Sequence, residues 1–122
     1  MSRHPAPTTL RIRIHCGDLI AMGPGKADLL AAIELTGSIS AAGRRLGLSY
    51  RKVRLMLDTM NRCFRTPLVE AVKGGARGGG ASLTDLGREA LRRYQQIQAR
   101  AQAAVDRELQ AYLKLLAEAP RD

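Results

Sequence analysis

A chain of 122 residues is the length of one domain, and at 45% hydrophobic but only 3% aromatic residues its modest core must be packed by aliphatic side chains and alanine. Twenty Lys/Arg against 11 Asp/Glu leave a net charge of +9, which points to a polyanionic partner. A membrane protein is excluded by the lack of any apolar run of about 18 residues, any signal peptide and any basic helix rich in large apolar residues, so a soluble, cytoplasmic protein is expected.

The charge is unevenly placed. Residues 38–83 hold nine Lys/Arg and two Asp/Glu, whereas residues 1–37 hold four against three and residues 84–122 seven against six. The excess therefore sits in the middle of the chain. The two cysteines, Cys16 and Cys63, make neither a CxxC pair nor a zinc-finger spacing, and read as free buried thiols. No metal or cofactor is expected.

Residues 1–8, with Pro5 and Pro7, read as a loose polar tail. From Thr9 to His15 the character alternates, with Leu10, Ile12 and Ile14 on one side and Arg11, Arg13 and His15 on the other, the period-two pattern of a half-buried strand. Leu19 to Met22 suits a second short strand or the lead into a helix. The segment GPGK at 23–26 only superficially resembles a phosphate loop, because Ala27 stands where a Ser or Thr should follow the lysine. It reads instead as a helix start with Pro24 in the first turn. Leu29, Leu30, Ile33 and Leu35 supply that helix with apolar positions, and it ends near Thr36–Gly37.

The stretch 38–64 predicts two helices joined by a tight turn. Ser38 can cap the first, whose apolar stripe is Ile39, Ala42 and Leu46. Gly47 can end it in the left-handed conformation that glycine adopts without a Cβ clash. Ser49 can cap the second, which runs to about Phe64. At about 100° per residue Val53, Met56, Leu57, Met60 and Phe64 fall on one side of it, Arg51, Leu55, Asp58 and Arg62 on the other, and Lys52 and Arg54 on the flanks. A short helix, a glycine turn and a longer helix with a basic outer face is the helix-turn-helix pattern.

Pro67 stops the helix. Leu68, Val69 and Val72, then KGGARGGG at 73–80, then Ala81 to Leu83 predict a hairpin over 68–83, the wing of a winged helix. Its glycines allow close approach to a sugar–phosphate chain, and Lys73 and Arg77 supply charge. Thr84 can cap the last element, with Gly87 the one weak residue in its first turns. Helical spacing then holds to about Leu116, about 33 residues or roughly 50 Å at 1.5 Å per residue. Leu91, Tyr94, Ala101, Val105, Leu109 and Tyr112 recur at three- and four-residue steps, with Gln98 a polar interruption. A helix this long overruns a small domain, and a second copy of the chain is the simplest partner for its far half.

The fold expected is thus mainly α with a small β component: a winged helix-turn-helix over 1–83 with an amino-terminal strand, and a long carboxy-terminal dimerisation helix over 84–122. The segments ELTGSISAAGRRLGLSYRKV, Met60–Asn61 and LVEAVKGGARGGGASLTDLGREAL resemble the DNA-binding domain of the ModE family of molybdate-responsive regulators. They are more distantly similar to the amino-terminal winged helix of LysR-type regulators. The resemblance runs from about Lys26 to Tyr94. It implies a dimeric regulator on palindromic DNA, with contacts from Ser49, Tyr50, Arg51, Lys52 and Arg54 and from the wing. ModE members often carry an aromatic and then an acidic residue where this chain has Arg54 and Leu55, which implies a different operator. The family's molybdate-binding domains would follow the long helix, and the sequence ends at Asp122, so tight molybdate binding is not expected of it.

The function expected is sequence-specific binding of double-stranded DNA by a homodimer. Arg51, Lys52 and Arg54 are placed to reach guanine edges or phosphates, and Arg44, Arg45, Lys73 and Arg77 to bind phosphate. The alternative is a protein-interaction module, an antagonist that pairs through the long helix with a larger regulator. No enzyme is expected. There is no HExxH and no G-x-S-x-G, both histidines (His4 and His15) lie near the amino terminus, and Asp58 is spaced to pair with Arg54 or Arg62 along a helix.

Overall fold

A computed structural model of the chain describes residues 10–72 and 80–122. The amino-terminal hairpin pairs β1 (Ile14–Cys16) with β2 (Leu19–Met22), Cys16 opposite Leu19 and His15 opposite Ile20, with an irregularity between Ile14 and His15. The ladder is shorter than the alternation predicts. Residues 10–13 lie outside any sheet and are held instead by side chains from far along the chain. The Tyr94 hydroxyl donates to the Ile12 carbonyl at 2.6 Å. The Gln98 amide takes the Ile12 N–H at 3.2 Å and donates to the Leu10 carbonyl. The polar break in the carboxy-terminal helical pattern is therefore what fastens the amino-terminal segment.

Helix α1 (Pro24–Thr36) starts at its proline and stops at Gly37, whose N–H donates to the Ile33 carbonyl at 2.7 Å. Ala27, Leu29, Leu30, Ala32 and Ile33 are buried, but Leu35, expected on the apolar face, is 65% exposed. Leu35 follows Ile33 by two residues, about 200° round a helix, so it leaves the core side. Helices α2 (Ile39–Leu46) and α3 (Tyr50–Cys63) follow, and then β3 (Val69–Val72) pairs antiparallel with β4 (Gly80–Leu83), Val69 opposite Leu83 and Val72 opposite Gly80. The wing hairpin is thus present at both its strands, and β4 is tied to the end of α1 by the Ala81 N–H bonding the Gly37 carbonyl at 2.9 Å.

The expected single helix over 84–116 is two. Helix α4 (Asp85–Ala104) is capped by Thr84, whose hydroxyl oxygen accepts from the Gly87 N–H at 3.0 Å and whose hydroxyl donates to the Pro67 carbonyl at 2.8 Å. Val105, at φ −110° and ψ 15°, leaves the helical region, and α5 (Asp106–Leu113) resumes beyond it. No residue of α5 is buried. Past the core a helix is held by its own backbone bonds alone, and a β-branched residue there is a natural place to bend.

One core joins these elements. Met22 of β2, Leu29, Leu30 and Ile33 of α1, Ala42 of α2, Val53, Leu57 and Met60 of α3, Leu68, Leu83, and Leu91 and Tyr94 of α4 form a single buried cluster. Leu91 and Tyr94, expected in the seam between two copies, are 5% and 4% exposed within one chain. They are core residues, and the start of α4 belongs to the body of the domain.

Candidate nucleic-acid interface

Local chemistry positions the helix-turn-helix. The Ser38 hydroxyl accepts from the Ala41 N–H at 3.0 Å, and the Ser49 hydroxyl from the Lys52 N–H at 3.0 Å, so both helices begin at the expected caps. Between them Gly47 takes φ 71°, and the Leu48 N–H reaches back to the Gly43 carbonyl at 2.8 Å. That left-handed residue turns the chain in three residues, 47–49, and sets the first turn of α3 beside the last turn of α2.

Helix α3 is two-sided. Val53, Leu57 and Met60 are buried, while Met56 and Phe64 are half-buried against the same core. Ser49, Tyr50, Arg51, Lys52 and Arg54 are all exposed, Tyr50 with 59% of its surface free. The expected Asp58 pair is present, with Arg54 at 3.7 Å and both side chains about half exposed or more, so it restrains Arg54 only weakly. Arg44 and Arg45, at the carboxy end of α2, are exposed too. Lys73 and Arg77 lie outside the described residues.

Two basic residues join this surface that the sequence pattern had not marked. Lys26, at the start of α1, is held below the usual lysine value by partial burial first and then by the positive charges of Lys52 and Arg13. Lys26 at the start of α1 thus feels the charge of Lys52 on α3 and of Arg13 in the segment before β1. Met56 of α3 also approaches Gly25 of α1, which fixes the start of α1 against α3. Lys26 had been weighed only within a phosphate-loop motif, and its neighbours there come from opposite sides of the hairpin and reader in sequence. Among the described residues no cluster of three or more His, Cys, Asp or Glu is able to hold a metal ion, and no helix is long and apolar enough to cross a membrane.

An exposed, basic, amphipathic second helix behind a glycine turn, followed by a two-stranded hairpin and packed on α1 and α4, defines a winged helix-turn-helix domain. No family model matches the chain. The resemblance read from its residues is borne out by curated relatives. The chain is 41% identical over 87 residues to the molybdenum transport protein ModE of Azotobacter vinelandii, covering 71% of this chain and 32% of that protein. It is 46% identical over 78 residues to the molybdenum-pterin-binding protein MopB of Rhodobacter capsulatus, covering 64% and 29%. With the DNA-binding transcriptional dual regulator ModE of Escherichia coli K12 it shares 38% over 71 residues, covering 58% and 27%. The chain therefore spans about a third of the length of the relatives it matches. Among solved structures, the CbnR DNA-binding domain, from a LysR-type regulator crystallised with DNA, superposes with a TM-score of 0.55 at 23% identity, covering 72% of this chain and 95% of that one. That likeness bears on the fold.

Proposed function

We propose that this chain is a sequence-specific DNA-binding transcriptional regulator that acts as a homodimer on a palindromic operator. The observation that carries the reading is the exposed first turn and a half of α3, where Tyr50, Arg51, Lys52 and Arg54 stand free on a helix whose other side buries Val53, Leu57 and Met60 in the core. A helix presented in this way enters the major groove by its amino-terminal end, where arginine and lysine side chains meet guanine edges. Ser49 holds its cap, and Arg44, Arg45, Lys26 and Arg13 neutralise flanking phosphates, as do Lys73 and Arg77 on the wing. The names of the ModE relatives support the same reading.

Dimerisation is assigned to the carboxy-terminal helices within residues 84–122, with 1–83 carrying the DNA contacts. Val105, Tyr112, Leu115 and Leu116 are exposed, and no residue of α5 is buried. A second copy covering them, together with the half-buried Ala101 and Leu109, would remove that apolar surface from water. Leu91 and Tyr94 drop out of the seam because the core already holds them.

The test is binding to DNA fragments selected from a genomic pool, titrated across salt. Arg51→Ala or Arg54→Ala is expected to cost about 1–3 kcal/mol on the selected site and to relax specificity there, while Arg45→Ala weakens all sequences alike and lowers the salt slope by about one unit. Lack of retardation even in low salt would overturn the reading in favour of a protein-interaction module. Equal, sequence-independent losses for all three variants would show that α3 does not read bases.

A further inference from the structure

Both cysteines are free, but Cys16 is exposed and Cys63 half-buried rather than fully buried as expected. The exposed apolar side chain that bears on recognition is on α3. Leu55 has 56% of its surface open to solvent, while Val53 and Leu57, two residues to either side, are buried. Two residues are about 200° round a helix, so Leu55 stands opposite the core side of α3. Arg51 lies one turn before it on that outer face, and Asp58 and Arg62 follow it, all of them exposed and charged. An exposed leucine elsewhere on a surface needs no explanation. On the face of a helix offered to DNA it has a chemical consequence.

Leucine has neither a donor nor an acceptor, so it draws nothing from the polar atoms of a base edge. The apolar group that base pairs present in the major groove is the C5-methyl of thymine. We infer that Leu55 is a specificity-determining residue that packs on the C5-methyl of a thymine in the operator. The inference rests on the reading of α3 as the helix that contacts DNA. Arg51 and Leu55 are four residues apart, about 6 Å along the helix axis, which is close to two base steps at about 3.4 Å each. The thymine therefore lies within about two base pairs of the position that Arg51 contacts. A 5-methylcytosine would offer the same methyl group, but thymine carries it without any modification of the DNA.

The test titrates the full-length protein onto the selected operator with each thymine replaced in turn by deoxyuridine, which lacks only the methyl. One replacement, within about two base pairs of the position where Arg51→Ala relaxes specificity, is expected to weaken binding about fourfold, the equivalent of one buried methyl group. Leu55→Ala should bind the thymine operator about fourfold or more weakly and be indifferent to uracil at that position. Leu55→Met keeps an apolar side chain of similar volume and should keep the discrimination. Because Leu55 is exposed, both variants should melt with the parent, which separates a lost contact from a lost fold. Uracil tolerated at every thymine, or an equal uracil penalty in Leu55→Ala, would overturn the inference while leaving DNA binding by α3 intact. A site indifferent to uracil but weakened when 5-methylcytosine is replaced by cytosine would overturn thymine as the partner. Failure to retard any DNA would overturn both this inference and the reading beneath it.

Discussion

Gly87→Ala separates two physical arguments that predict opposite signs. From sequence, glycine in the first turn of a helix is a weak residue, and alanine there should stabilise by about 1 kcal/mol. The structure reverses this. An added Cβ would collide with the Leu68 carbonyl oxygen and lie within 3.0 Å of its carbonyl carbon. The obstacle is backbone, so no side-chain rotation relieves it. Leu68 is itself fully buried, and its carbonyl accepts at 2.9 Å from the N–H of Thr84, the cap of α4. Moving α4 away would lengthen that bond, worth about 1 kcal/mol, and overpacking of this kind costs typically about 1–3 kcal/mol. Set against the gain in helix propensity, the net is a loss of about 1–3 kcal/mol, or a melting temperature lower by about 4 °C or more. Urea denaturation of the two proteins at matched concentration measures it. A variant as stable as the parent, or more so, would refute the close approach of α4 to Leu68 and leave the propensity argument standing.

Burial raises the Tyr94 phenol above its ordinary value of 10.0, the first of its causes and larger than the opposing charges of Arg11 and Arg13. Above about pH 10 the unfolded chain therefore loses this proton before the folded one does, so stability falls as pH rises through that window. Tyr94→Phe should flatten the alkaline limb of the stability–pH curve, while costing about 1 kcal/mol at neutral pH through the lost bond to Ile12; an unchanged limb would mean that Tyr94 is not the group responsible. Gln98→Ala removes its own two bonds, to the Ile12 amide and the Leu10 carbonyl, and hydrogen exchange should accelerate at the Ile12 amide with little change at the core amides of α3. Equal protection in the two proteins would show that other contacts secure that segment.

The caps were legible in the residues because a cap is a local contract. Ser38, Ser49 and Thr84 each satisfy an amide three residues ahead, and Gly37 and Gly47 take backbone angles that their own lack of a Cβ permits. The two-sided character of α3 was legible for the same reason, since helical geometry converts spacing directly into faces. Spacing does not say what a face meets. Leu91, Tyr94, Val105 and Tyr112 share one period, yet the first two pack inside their own chain while the others face solvent. Nothing in that period marks where the core runs out, and Val105 breaks the helix just past that point. Gln98 looked like a flaw in an apolar stripe until the fold laid Leu10 and Ile12 across it, more than 80 residues away in sequence. The close approach of Gly87 to the Leu68 carbonyl was hidden in the same way. Each depends on a distance between segments remote in the chain, and that distance exists only once the shared core has drawn the segments together.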